Sequence, residues 1–220
     1  MRTAIQDAIV VSVILTLGWN CSTEKPPVER GHLSADVIKK PLPTTREYPS
    51  SDAAAYYFPA DVGAFLRKWY SQHLKAMQEP SLFCGRETAE FTYRFLWLRT
   101  FGHPICVRIE KEGSSTKLHA VELDGRGGYA PGKPLRQIDR TLSSAEQERM
   151  ITALKKTWYW GTPRYIVGGG LDGAEWILEG AEDGKYQVMK ETSPRVSLHR
   201  DACLVFLELA GFSIPAGEMY

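Results

Sequence analysis

The chain reads as an α+β protein, with an antiparallel sheet of about five to six strands and helices packed on one face. Three observations predict it. Segments of strand composition follow one another between residues 92 and 140, and a further pair spans 175–191. Stretches with apolar residues at three- and four-residue spacing flank these strands near 61–77, 144–158 and 197–210. The apolar content of 43% and charged content of 24% are globular values over 220 residues, enough for one ordinary domain with extensions.

Residues 1–21 (MRTAIQDAIVVSVILTLGWNC) carry Arg2 ahead of a short apolar run, Ala8 to Leu17. That run suits a signal-peptide core, or a thin uncleaved anchor, better than a full span, which needs roughly 20 apolar residues. Cys21 stands where an exported chain would receive lipid, although Trp19 and Asn20 are bulky or polar neighbours for such a site. Residues 22–59 form a flexible Pro-rich tether: six prolines among Ser, Thr, Lys and Glu bury too little apolar surface to offset the entropy of ordering. The Ala53–Phe58 run is the part of it suited to docking on the domain. The globular domain is expected over 60–220, with export to the periplasm or a membrane-anchored place in the cell envelope.

The first helix is expected from Asp61, as N-cap, to Met77. Val62, Phe65, Leu66, Trp69, Tyr70, His73, Leu74 and Met77 make its apolar face. His73 on that face reads as a core residue. Thr92–Thr100 (TYRFLWLRT) has almost no turn residues and reads as a strand buried on both faces. Ile105–Lys111 and Lys117–Leu123 follow as a hairpin about a turn at 112–115, then a flexible glycine loop, Gly125–Gly132, and a fourth strand at Leu135–Arg140. Ser143 or Ser144 caps the second helix, with Glu146 and Gln147 in capping-box register and Met150, Ile151, Leu154 and Trp158 facing inward. After Gly168–Gly170, Glu175–Ala181 and Tyr186–Glu191 form a hairpin turning at Glu182–Gly184. The last helix, Ser197–Ala210, stops at Gly211.

Chemistry is harder to find. The formal charge of +1 and the lack of a long basic run argue against a nucleic-acid partner. None of the five histidines forms HxH or HExxH, no cysteine pair has CxxC spacing, and GGGLDG lacks a dinucleotide or phosphate-loop context, so no metal and no cofactor is expected. Cys106 and Cys203 sit in apolar segments and read as small buried side chains. Cys84, with Arg86 nearby and His103 or His119 as base, is the one combination that a small hydrolase could use. Arg94 and Glu179 are charges on apolar strands and require partners, each other being the simplest choice. Together with Arg126 and Tyr129 of the glycine loop, they are the candidate ligand-binding residues; catalytic residues are unassigned.

Glu79–Leu82 (EPSL), Tyr93–Ile109, Gly170–Gly180, the Ser193–Pro194 pair and the closing LELAG resemble a group of uncharacterised bacterial exported, lipoprotein-like proteins. That resemblance implies a coherent domain after residue 60 and an envelope location, and it brings no activity or cofactor. The functional expectation is a non-enzymatic binding or interaction domain, meeting an envelope protein or membrane surface through its tether. A Cys84 hydrolase and an immunity-type partner protein are the alternatives.

Overall fold

The computed structural model describes residues 57–85, 89–161, 166–167 and 172–218. The signal segment, Cys21, most of the tether, Arg86 and Gly168–Gly170 lie outside the described residues.

Seven strands make one sheet: β1 (Phe91–Arg99), β2 (Ile105–Glu112), β3 (Ser115–Leu123), β4 (Pro134–Thr141), β5 (Ile166–Val167), β6 (Ala174–Glu182) and β7 (Lys185–Thr192). Their order is β4-β3-β2-β1-β6-β7-β5. The six longer strands pair antiparallel, and two-residue β5 adds a parallel edge to β7. A two-residue strand has no periodicity to read, which is why the sequence gives no sign of it. β1 is central, and eight of its nine residues are buried, as its unbroken apolar composition requires. The β6–β7 turn places both Asp183 (φ 51°) and Gly184 (φ 72°) in the left-handed region, the requirement of a tight hairpin turn.

Three helices complete the fold: α1 (Ala64–Ala76), α2 (Ser144–Lys156) and α3 (Leu198–Leu209). They do not all lie on one face, as the sequence reading had it. Met150 and Leu154 of α2 and Cys203, Phe206 and Leu207 of α3 share a core with Phe91, Tyr93, Phe95 and Trp97. Val62, with Tyr70 and Leu74 of α1, packs instead with Leu96, Leu98, Cys106, Val121 and Ile177. Successive residues of a strand point to opposite faces, so a central strand that is apolar throughout must be covered twice. On the α2/α3 face the rings of Trp97 and Trp176, paired across β1 and β6, lie 5.1 Å apart.

The ends of the elements follow local chemistry, with four corrections. Ser143 accepts from the Glu146 backbone N–H while the Glu146 carboxylate accepts from the Ser143 N–H, a complete capping box for α2. Residues 60–62 form a separate 3-10 turn, and Gly63 at φ 87° breaks the path before α1, so Asp61 is not its cap. Phe65, expected inside, is 75% exposed. Trp158, also expected inside, is 77% exposed because α2 ends at Lys156 and the chain turns left-handed at Trp158 (φ 53°), ending the helical spacing counted from Leu154. Tyr159 goes inward instead and donates to the Leu178 and Gln187 carbonyls. At the other boundary, Tyr57 and Phe58 are fully buried, so the packed unit starts ahead of residue 60.

Candidate functional site

Arg94 and Glu179 stand directly opposite each other on β1 and β6. Arg94 donates to Glu179 Oε2 through Nε (2.8 Å) and its terminal nitrogen Nη2 (2.6 Å), and through Nη1 to the Pro80 carbonyl at 2.5 Å. Glu79 lies 3.4 Å from Arg94 and accepts from Arg108 Nε at 2.9 Å, while Tyr186 donates to Glu179 at 2.8 Å. Both side chains of the central pair have no exposed surface. Burial works against the Arg94 charge, but the carboxylates of Glu179 and Glu79 more than offset it and raise the guanidinium pKa. Burial likewise lifts the Glu179 carboxyl, with Arg94 opposing. Arg94 and Glu179 therefore form with each other the ion pair that their apolar strands required, and being closed to solvent they are not the ligand contacts also expected of them. The EPSL turn belongs to the same network through Glu79 and Pro80, a role that the sequence did not disclose because 15 residues separate Glu79 from Arg94.

The open site lies at the far end of the same face. A cavity of about 830 Å³ separates the first turns of α1 from the ends of β1, β6 and β7. Volumes of roughly 300–1,000 Å³ are usual for small-ligand sites. Phe65, Lys68, Trp69 and Gln72 line it from α1 and Tyr129 from the glycine loop, while Thr100, Asp172, Glu175 and Thr192 line it from the ends of the strands.

The loop that carries Tyr129 is held in place, contrary to its reading as a flexible glycine stretch. Gly127 and Gly128 donate to the Gly102 and Thr100 carbonyls, at 3.0 and 3.2 Å. From α1, Trp69 Nε1 donates to the Gly127 carbonyl (2.8 Å) and Gln72 Nε2 to the Tyr129 carbonyl (3.2 Å). Gly127 sits so close to β1 that a Cβ there would fall 2.5 Å from the Arg99 carbonyl oxygen, so its glycine is dictated by contact rather than by freedom. His73, one turn along α1 from Trp69, is fully buried and neither ring nitrogen makes a hydrogen bond of good geometry. Burial lowers its pKa to about 4, with the Gly127 carbonyl opposing, so the ring is neutral.

Glu175, lining the cavity, is 6% exposed and held by three partners. Its Oε2 accepts from Tyr70 (3.0 Å) and pairs with Lys190 (2.8 Å), and its Oε1 accepts from Thr192 (2.9 Å). Burial and the Glu175 charge hold the Tyr70 phenol well above its ordinary pKa, so it remains a donor. The arrangement is a fixed carboxylate in an aromatic-lined cavity.

Of the residues singled out from sequence, Tyr129 alone lines this cavity; Arg126 is on the exposed side of the same loop. Trp69 and Phe65 have the helical spacing of core residues, and the sequence reading does not include Glu175, Thr192 or Lys190 among its candidates. The parity of β6 held a clue: Glu175 and Glu179 share the face of Ile177, so a buried strand carries two acids on one side. The Cys84 combination loses its nucleophile, because Cys84 is disulfide-bonded. His103 and His119 hold separate carboxylates, Glu122 at 3.2 Å and Asp139 at 2.6 Å. Cys106 and Cys203 are free and buried, as expected, and burial raises both thiols. Among the described residues no group of His, Cys, Asp and Glu could hold a metal ion, and no helix is long and apolar enough to cross a membrane.

A second recess, about 330 Å³, lies beside the end of α2 between Trp158, Trp160 and Tyr93. Its polar atoms bond one another: Trp160 Nε1 donates to Tyr93 Oη and to Glu182, each at 3.0 Å. The α1 cavity is thus the better candidate. No protein-family model matches this chain, and no curated protein matches it. The fold and the site together describe an α+β domain with an aromatic-lined cavity of about 830 Å³ at an end of its sheet.

Proposed function

We propose that this protein is a non-enzymatic binding domain whose ligand is a small molecule seated in the α1 cavity, the domain being held near a membrane of the cell envelope by its N-terminal segment and tether. The observation that carries the reading is the preorganised wall. Trp69 and Gln72 each clamp the Tyr129 loop, so the aromatic opening exists before any ligand arrives and little ordering cost remains for binding. Among the described residues that line the cavity there is no Ser, Cys or His, and Glu175 is already held by three partners. The envelope location rests on the N-terminal sequence and on the resemblance drawn from it.

A fragment screen by saturation-transfer NMR on the full chain tests the cavity. Ring-bearing fragments should bind, compete with one another, and lose binding in Trp69→Ala and in Phe65→Ala, the latter altering only an exposed side chain. Hits that persist unchanged in both variants, or a screen without hits, would sink the reading.

A further inference from the structure

Resting on that reading, we infer that the cavity takes a neutral carbohydrate, a short oligosaccharide whose ring carbons lie on the aromatic side chains and whose hydroxyls meet the oxygen groups. The residues that line the cavity are of two kinds. On the α1 side, Trp69 has already spent its only donor on the Gly127 carbonyl, so what it offers a ligand is ring carbon surface. Phe65, 75% exposed, and Tyr129, 60% exposed, extend that surface to the mouth.

The strand ends contribute oxygen groups to the same lining: the Thr100 and Thr192 hydroxyls and the Asp172 and Glu175 carboxylates. Glu175 Oε1 accepts one hydrogen bond, from Thr192, and a carboxylate oxygen can accept two. A matching ligand is therefore apolar on one face and rich in donors on the other. Pyranose rings and aromatic amines both answer to that description, and charge separates them. Lys190 at 2.8 Å already pairs with Glu175, and Lys68 and Asp172 bring one charge of each sign to the lining, so the site has no net negative charge to favour an ammonium group. Neutral hydroxyls suit acceptors of this sort without the cost of desolvating a cation. The volume of about 830 Å³ leaves room for more than one ring.

Isothermal titration of the full chain with chitotriose, with maltotriose and with tryptamine tests the inference. At least one trisaccharide should bind. Phe65→Ala and Thr192→Val should each weaken it by about three- to tenfold, the range expected for one stacking contact or one hydrogen bond. Tryptamine should not compete. Binding of tryptamine in place of the sugars overturns the carbohydrate assignment. So does the case in which fragments bind in a Trp69-dependent manner and neither trisaccharide does, and the cavity reading then stands. If neither fragments nor sugars bind, both readings fall. Sugar binding that ignores Phe65→Ala and Thr192→Val places the sugar elsewhere and overturns the assignment to this cavity.

Discussion

Replacing Arg94 with Met should be among the most damaging single changes in the domain, and most of the damage should be reversible by a second change. In Arg94→Met the charge that answers Glu179 disappears, while Glu179 keeps only the Tyr186 O–H among the side-chain bonds that hold it. Glu79 suffers less, because Arg108 Nε still donates to it at 2.9 Å. Removing one partner of a buried ion pair costs about 3–5 kcal/mol. A domain of this size is stable by roughly 5–15 kcal/mol in all, so the variant should unfold at markedly lower urea. Changing Glu179 to Met as well removes the stranded charge and leaves chiefly the Tyr186 hydroxyl unanswered, a loss of about 1–3 kcal/mol. The double variant should therefore be more stable than Arg94→Met alone. Proton linkage supplies an independent check. Without Arg94, burial drives the Glu179 carboxyl further above its unfolded value. The single variant should then be least impaired below about pH 4 and lose ground as pH rises toward 7. Urea denaturation of Arg94→Met, Glu179→Met and the double variant at several pH values reads both effects. A double variant that costs the sum of the two singles, with no change across pH, would refute the reasoning.

The neutral, buried His73 should make the native protein acid-sensitive. With a folded pKa near 4, the unfolded chain binds a proton below about pH 6.5 that the native state refuses. Stability should drop by roughly 3 kcal/mol as pH falls from 6.5 to 4. His73→Phe should flatten that part of the pH–stability curve, and an unchanged curve would show that another group is responsible. Gly180→Ala should cost about 1–3 kcal/mol by overpacking. The added Cβ would lie 2.7 Å from the Tyr159 ring and 2.8 Å from Tyr93, and Tyr159 is pinned by two carbonyls. An unaltered urea midpoint would contradict that packing.

What the sequence determined by itself was local. The two-sided burial of β1 followed from its lack of turn residues, the α2 capping box from Ser143 and Glu146 three positions apart, and the stop of α3 from Gly211 at φ 70°. It also required a partner for Arg94, because a charge on a fully apolar strand cannot stay unanswered. Tertiary structure decided the rest. Strand register set Glu179, the partner the sequence suggested, directly opposite Arg94 and brought Glu79 in from the turn after α1. Which face each helix covers was not encoded in its own apolar stripe, since any such stripe fits either side of a doubly apolar sheet. The cavity was the least legible feature. Phe65 and Trp69 look like core residues on a helical wheel, and they line an opening only because the Gly125–Gly132 loop, more than fifty residues on, docks beside them. A pattern of period 3.6 specifies a face, and the distant part of the chain that meets it specifies whether that face becomes core or site.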